Sequence, residues 1–164
     1  MSSMNFYTTI ASMRSPGTGL GTIYLFPWSI CIVFTLLILV LPVLTGATGI
    51  LVSDICFNTI YMDPAFGGDP VLYQHFFWVF GHPEVYILIV PAFGVLSHVL
   101  AGVAGSIIIY GYPSMVLAMG CISTLGSLVW GHHIYTVGLE ADTRSYFTGL
   151  TVMISLPTGT KLLN

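Results

Sequence analysis

Polar positions are sparse along this chain, and their spacing divides it. From Arg14 to Asp54 no charge interrupts the sequence, and within that interval residues 23–52 form a near-continuous apolar run. A helix crossing the hydrocarbon core needs about 20 mainly apolar residues, so the run predicts a spanning helix with length to spare for tilt. Pro42, Gly46 and Gly49 lie inside it, as membrane helices tolerate. Residues 1–22 are a polar N-terminal lead. Residues 53–70 form a polar connector holding Asp54, Asp63 and Asp69 and the turn-forming run from Asp63 to Pro70. A second span is predicted over residues 71–103, broken only by His75, His82, Glu84 and His98. A connector, 104–113, ends in Tyr110-Gly111-Tyr112-Pro113 and opens a third span over 114–130. Residues 131–145 carry adjacent histidines and an interface loop with Glu140, Asp142 and Arg144, and 146–164 predict a partial fourth helix.

Composition sharpens this into a class. Only nine of the 164 residues are charged, three basic and six acidic, where a soluble chain of this length would carry about 40. Nine charges cannot make a water-soluble surface, and three cations cannot compensate a nucleic-acid backbone. The apolar runs are longer than barrel strands and lack their alternation. The expected class is therefore an all-α integral membrane protein in a lipid bilayer, with three transmembrane helices plus the first part of a fourth. Residues 1–15 lack the apolar centre of a cleaved signal peptide. Cys31, Cys56 and Cys121 are scattered and odd in number, which points to neither a disulfide framework nor a zinc site. Arg14 precedes the first span while the following connector is acidic, which places the N-terminal segment on the cytoplasmic or matrix side.

Ionisable residues inside spans are costly and mark candidate function. The second span reads Trp78-Val79-Phe80-Gly81-His82-Pro83-Glu84-Val85-Tyr86. On a regular helix Trp78, His82 and Tyr86 share one face at one-turn spacing, and Ser97 returns close to it about 16 Å further on. Glu84 points roughly the opposite way, and Pro83 withdraws a donor and loosens this turn. His82 and Tyr86 read equally as polar contacts between helices, although Glu84 adds a cost that packing does not require. The third span ends in Trp130-Gly131-His132-His133. Neighbouring side chains point about 100° apart on a helix, so both histidines reach one ion only where the helix end is irregular. Alone, they fit the interfacial belt of Trp, Tyr and His. With His82 they make three imidazoles on neighbouring spans, a donor set suited to copper, zinc or ferrous iron. Thr151, Thr158 and Lys161 fall on one stripe of the last segment. That stripe reads either as a packing face with a snorkelling lysine or as a hydrogen-bonded proton path, and spacing does not choose between them.

Four motifs in order then carry a resemblance covering about residues 5–161: Phe80-Gly81-His82-Pro83-Glu84-Val85-Tyr86, Trp130-Gly131-His132-His133, Thr136-Val137-Gly138 and Asp142-Thr143-Arg144. They resemble subunit I of the haem–copper terminal oxidases, above all the mitochondrial cytochrome c oxidase type, in which Asp63-Pro64 and Gly67-Gly68-Asp69-Pro70 also recur. The resemblance implies that His82, His132 and His133 are the copper ligands of the oxygen-reducing centre. Tyr86 resembles the tyrosine covalently joined to the ligand histidine one turn before it. Glu84 resembles the carboxylate that passes protons to the centre and to the pumping route. Ser97, Thr151, Thr158 and Lys161 resemble the second proton path, and Trp78 the tryptophan beside the metal centre. Gly131 departs from the family's usual Ala or Ser.

Such a subunit has about twelve spans, and this chain matches the fifth to seventh and the start of the eighth. The histidines that ligate the low-spin and high-spin haems have no counterpart here, since His75 and His98 stand at other positions. The expectation is the copper-binding fragment of a split subunit I, inactive alone. It would assemble with the other fragments and subunits in the mitochondrial inner membrane and take electrons from cytochrome c. A quinol-using oxidase of the same fold, or a non-catalytic assembly remnant or transporter piece, are the alternatives.

Overall fold

The computed structural model describes residues 1–163. Asn164, with the terminal carboxylate of the expected fourth segment, lies outside them. The described residues are all-helical: α1 (Ser2–Ser12), α2 (Leu25–Cys56), α3 (Pro70–Val103), α4 (Tyr112–Gly126), α5 (Ala141–Met153) and α6 (Ser155–Leu163), with 3-10 segments at Pro64–Phe66 and Trp130–Val137. Three stretches are long and apolar enough to cross a membrane: Leu25–Cys56, Pro70–Val103, and Tyr112–Val137, which joins α4 to the 3-10 segment after it. The protein is a multi-pass membrane protein.

Helices α2 and α3 form the frame. At 32 and 34 residues each is about 50 Å long, longer than the roughly 30 Å hydrocarbon core, so their ends reach beyond it. The connector between them is tied down by its own acids. The Asp54 carboxylate accepts from the backbone N–H of Tyr61 (3.1 Å) and Met62 (3.0 Å) and from the Thr59 hydroxyl. Asp63 caps the 3-10 turn by accepting from Ala65 N–H at 3.0 Å, and Asp69 caps α3 by accepting from Val71 N–H at 2.9 Å. Pro70 follows in the first turn of α3, where its missing N–H costs nothing. Asp63 and Asp69 thus cap the elements that turn the chain back, and Asp54 ties the loop to the end of α2.

Pro83 and Pro91 both lie inside α3, and the helix runs through them without interruption. The loosened turn expected at Pro83 is not a break. Pro83 is buried, with His82 beside it and Ile87 one turn on, so packing holds the turn where one backbone bond is withdrawn. The core lies where α2, α3 and α4 meet, with Leu25, Leu36, Ile87, Val90, Met119 and Ile122 buried. Outward, Leu39, Leu88 and Leu117 are each about two-thirds exposed (65%, 68% and 68%).

Two histidines act as struts. His98, near the end of α3, accepts from Phe26 N–H at 3.3 Å in the first turn of α2. His75, near the start of α3, accepts from the Trp130 indole N–H at 3.3 Å. The last segment is divided at Ile154, between α5 and α6. Pro157 supplies the reason, because it has no N–H to give the carbonyl of Met153.

Candidate metal centre

The site starts from a mismatch between a regular helix and two adjacent histidines. After Gly126 the chain leaves α-helical geometry, and Trp130–Val137 is a 3-10 segment with Ile134 outside helical angles (φ −125°, ψ 31°). This is the irregularity that lets His132 and His133 converge. Across from them, α3 presents His82, only 6% exposed. His82 Nδ1 lies 3.1 Å from His133 Nε2, and His133 Nε2 lies 3.1 Å from His132 Nε2. One nitrogen from each of the three histidines falls within 4.8 Å of the others.

That spacing fits an ion. Metal–imidazole bonds are about 2.0–2.1 Å long, and two nitrogens on one ion at that length stand about 3.0–3.4 Å apart. Three neutral imidazoles without a thiolate or carboxylate favour copper, zinc or iron over calcium or magnesium. The triad can therefore hold a metal. His82 Nε2, on the far side of the ring, is buried without a hydrogen-bond partner.

The surroundings fix the rings. His132 Nδ1 is 3.0 Å from the Thr151 hydroxyl, whose own proton goes to the Phe147 carbonyl at 2.6 Å. The ring nitrogen of His132 turned away from the ion is thus held, as metal-bound histidines usually require. Trp78 stacks flat on His133, centroids 4.0 Å apart and planes 7° from parallel. The Tyr86 ring meets His82 edge-on at 4.6 Å. A Cβ at Gly126 would stand 2.7 Å from the Tyr86 ring, so this glycine is what lets α4 approach α3 there. A Cβ at Gly131 would overlap the Phe147 ring, which also meets the Trp130 indole edge-on at 5.2 Å. The departure at Gly131 thus matches a phenylalanine seated against it.

The other residues singled out in the sequence fall in two places. Trp78, His82, Tyr86, His132, His133 and Thr151 come together. Ser97 and Lys161 come together elsewhere, on the wall of a cavity of about 240 Å³ between the end of α3 and α6. The Lys161 ammonium is buried without a hydrogen-bond partner, 5.6 Å over the Phe93 ring, so it does not snorkel to the surface. Thr158 gives its hydroxyl proton to the Ile154 carbonyl at 2.9 Å. Glu84 is half-buried on another face of α3. Missed in the sequence were His75, Gly126 and Phe147, whose partners lie far along the chain, and no spacing signals such contacts.

The site can be set beside known proteins. The family described as cytochrome c and quinol oxidase polypeptide I matches residues 1–164. Cytochrome c oxidase subunit 1 of Plasmodium falciparum is 58% identical over 164 residues, covering 100% of this chain and 34% of that relative. The same-named proteins of Theileria annulata and Cereibacter sphaeroides are 49% and 48% identical over the whole chain, which covers 34% and 29% of them. The chain spans about a third of the length of the curated relatives it matches. Its three-histidine cluster matches the copper-ligand site of the haem–copper oxidases, and the chain belongs to the cytochrome c and quinol oxidase polypeptide I family.

Proposed function

We propose that this chain is the copper-ligand and proton-relay part of a cytochrome c oxidase of the mitochondrial inner membrane, a complex that reduces oxygen to water and pumps protons. The observation that carries this reading is the convergence of His82, His132 and His133 on one point beside Tyr86. His82 Nδ1, His132 Nε2 and His133 Nε2 hold the copper. The haems are held by parts of the subunit that this chain does not contain, in a bundle of about twelve helices. When bound, copper and haem iron together supply electrons to dioxygen.

The chain's own groups supply positioning and protons. Thr151 orients His132 through Nδ1, and Trp78 holds the plane of His133. With Nδ1 turned to the metal, the unpartnered Nε2 of His82 is the atom available for a covalent bond to a Tyr86 ring carbon. Forming that bond removes the Nε2 hydrogen and an aryl hydrogen, and dioxygen takes up the two electrons and two protons. The Tyr86 phenol then holds a proton for oxygen chemistry. Lys161 and Ser97, sharing a cavity, and Thr158, one turn before Lys161, form a proton route toward Tyr86. Glu84, away from the histidine face, holds protons for the centre and for pumping.

Each relative compared is named a cytochrome c oxidase subunit, which supports cytochrome c over quinol as donor. The test is a native gel of mildly solubilised membranes, probed for this chain and analysed for copper and haem absorption. Migration with both in a large complex is expected, and a small metal-free band would overturn the reading. The mass of the purified polypeptide tells a separate fragment from a stretch of a longer chain.

A further inference from the structure

The segment that carries two of the three metal-site histidines depends on its neighbours for its shape. Trp130–Val137 runs as 3-10 helix for eight residues, with Ile134 off helical angles. Such runs rarely exceed three or four residues, because their hydrogen-bond geometry is poor, so outside contacts must fix where this one lies. Trp78 stacks on the His133 ring, Thr151 holds His132 Nδ1, and the Thr148 hydroxyl of α5 stands 2.7 Å from that of Tyr135. A further contact comes from His75, a histidine that the metal site does not use.

His75 stands on α3 seven residues before His82, about 10 Å along the axis and within about 20° of the same face. That distance keeps it out of the ligand set. Its Nδ1 lies 3.3 Å from Trp130 Nε1. An indole N–H only donates, so Nδ1 is the acceptor and the ring hydrogen is on Nε2. An imidazole in an apolar span is costly without a partner, and Trp130 is that partner. A tryptophan that only marks the membrane boundary turns its N–H to water and head groups, whereas this one gives it to α3. Trp130 opens the 3-10 segment, two residues before His132. Its half-buried indole also meets Phe147 of α5 edge-on at 5.2 Å. One face of α3 therefore carries both the acceptor that fixes the start of the segment and the ligand that the segment's histidines must meet.

We infer that His75 is a positioning residue for the metal centre: by holding the Trp130 indole, it sets where His132 and His133 stand relative to His82. This role rests on the copper-ligand function proposed for the triad.

The test uses the assembled complex, reduced and under carbon monoxide. The infrared stretch of carbon monoxide on copper, recorded after low-temperature photolysis from the haem, reads the geometry of the copper ligands. Copper retention against a chelator, haem content and the thermal midpoint are measured on the same samples. His75→Leu should shift or split the copper band and weaken copper retention about 10-fold, the lower end for loss of a group behind the ligands, with both haems kept. His75→Asn, whose amide oxygen falls close to the place of Nδ1, should restore the wild-type band. Trp130→Phe, which keeps a ring on Phe147 but has no donor, should reproduce the shift, and adding His75→Leu to it should change nothing further. If His75→Leu does not assemble, Trp130→Phe and His75→Asn carry the comparison. A contact that only stabilises the fold would lower the thermal midpoint and leave the band in place. That result, or a band shifted equally by Asn and Leu, would overturn the inference. A wild-type complex without the copper band would instead overturn the copper-centre function itself.

Discussion

His132 is held from both sides, with Nε2 in the metal triangle and Nδ1 on the Thr151 hydroxyl. The expected consequence is that Thr151→Val keeps the fold but weakens copper retention about 10–100-fold, as loss of a partner behind a metal ligand does. Chelator titration of the assembled complex measures it, and unchanged copper retention would assign Thr151 to the proton path alone. Gly131 belongs to the same scale. Gly131→Ala forces the buried Phe147 ring to move, an overpacking cost of about 1–3 kcal/mol. The cost should be relieved in the double variant with Phe147→Leu, which thermal unfolding of the complex would reveal. Both contacts join residues far apart along the chain, and neither Thr151 nor Phe147 signals its partner through spacing. What was legible in the sequence was the donor set, three imidazoles on neighbouring spans, although singly they read equally as polar contacts between helices or as interfacial residues.

At the scale of elements, the spans were readable because the first two apolar runs exceed what a membrane requires, the third comes close to it, and Glu84 is the one charge inside a predicted span. The convergence of adjacent histidines was readable as a condition, an irregular helix end, and the 3-10 segment Trp130–Val137 meets it. Two features were not readable. The helix α3 runs through Pro83, which is buried, and through Pro91, whereas Pro157 accompanies a division of the last segment at Ile154. The regular-helix stripe of Thr151, Thr158 and Lys161 therefore crosses a discontinuity. Thr151 turns to His132, while Lys161 joins Ser97 of α3 on a separate cavity. Lys161→Met separates function from structure here. Replacing a buried, unpaired ammonium by an apolar chain should leave thermal stability equal or higher. Oxygen consumption should fall about 10²–10⁴-fold, the range for loss of a positioned proton donor, with copper content unchanged. Full activity in Lys161→Met would remove it from the proton route.

For the whole molecule, the charge distribution sets the orientation. Five of the six acids lie in the last turn of α2 or beyond its far end, with Arg144 among them, and Arg14 sits at the near end, so the positive-inside rule predicts the near end on the cytoplasmic or matrix side. Cys56, exposed at the far end of α2, should react with a membrane-impermeant maleimide added from the side opposite the matrix. Buried Cys31 should stay protected until the protein is denatured. Labelling of Cys56 only from the matrix side would invert the topology. The fold brings three nitrogens from α3 and the Trp130–Val137 segment within 4.8 Å of one another. The most direct measurement is the copper-to-haem ratio of the purified complex carrying His132→Ala, compared with wild type. The expected result is loss of one copper per complex with both haems retained, together with loss of oxygen consumption. Wild-type copper content and oxygen consumption in that variant would contradict the assignment of the three histidines as the metal centre.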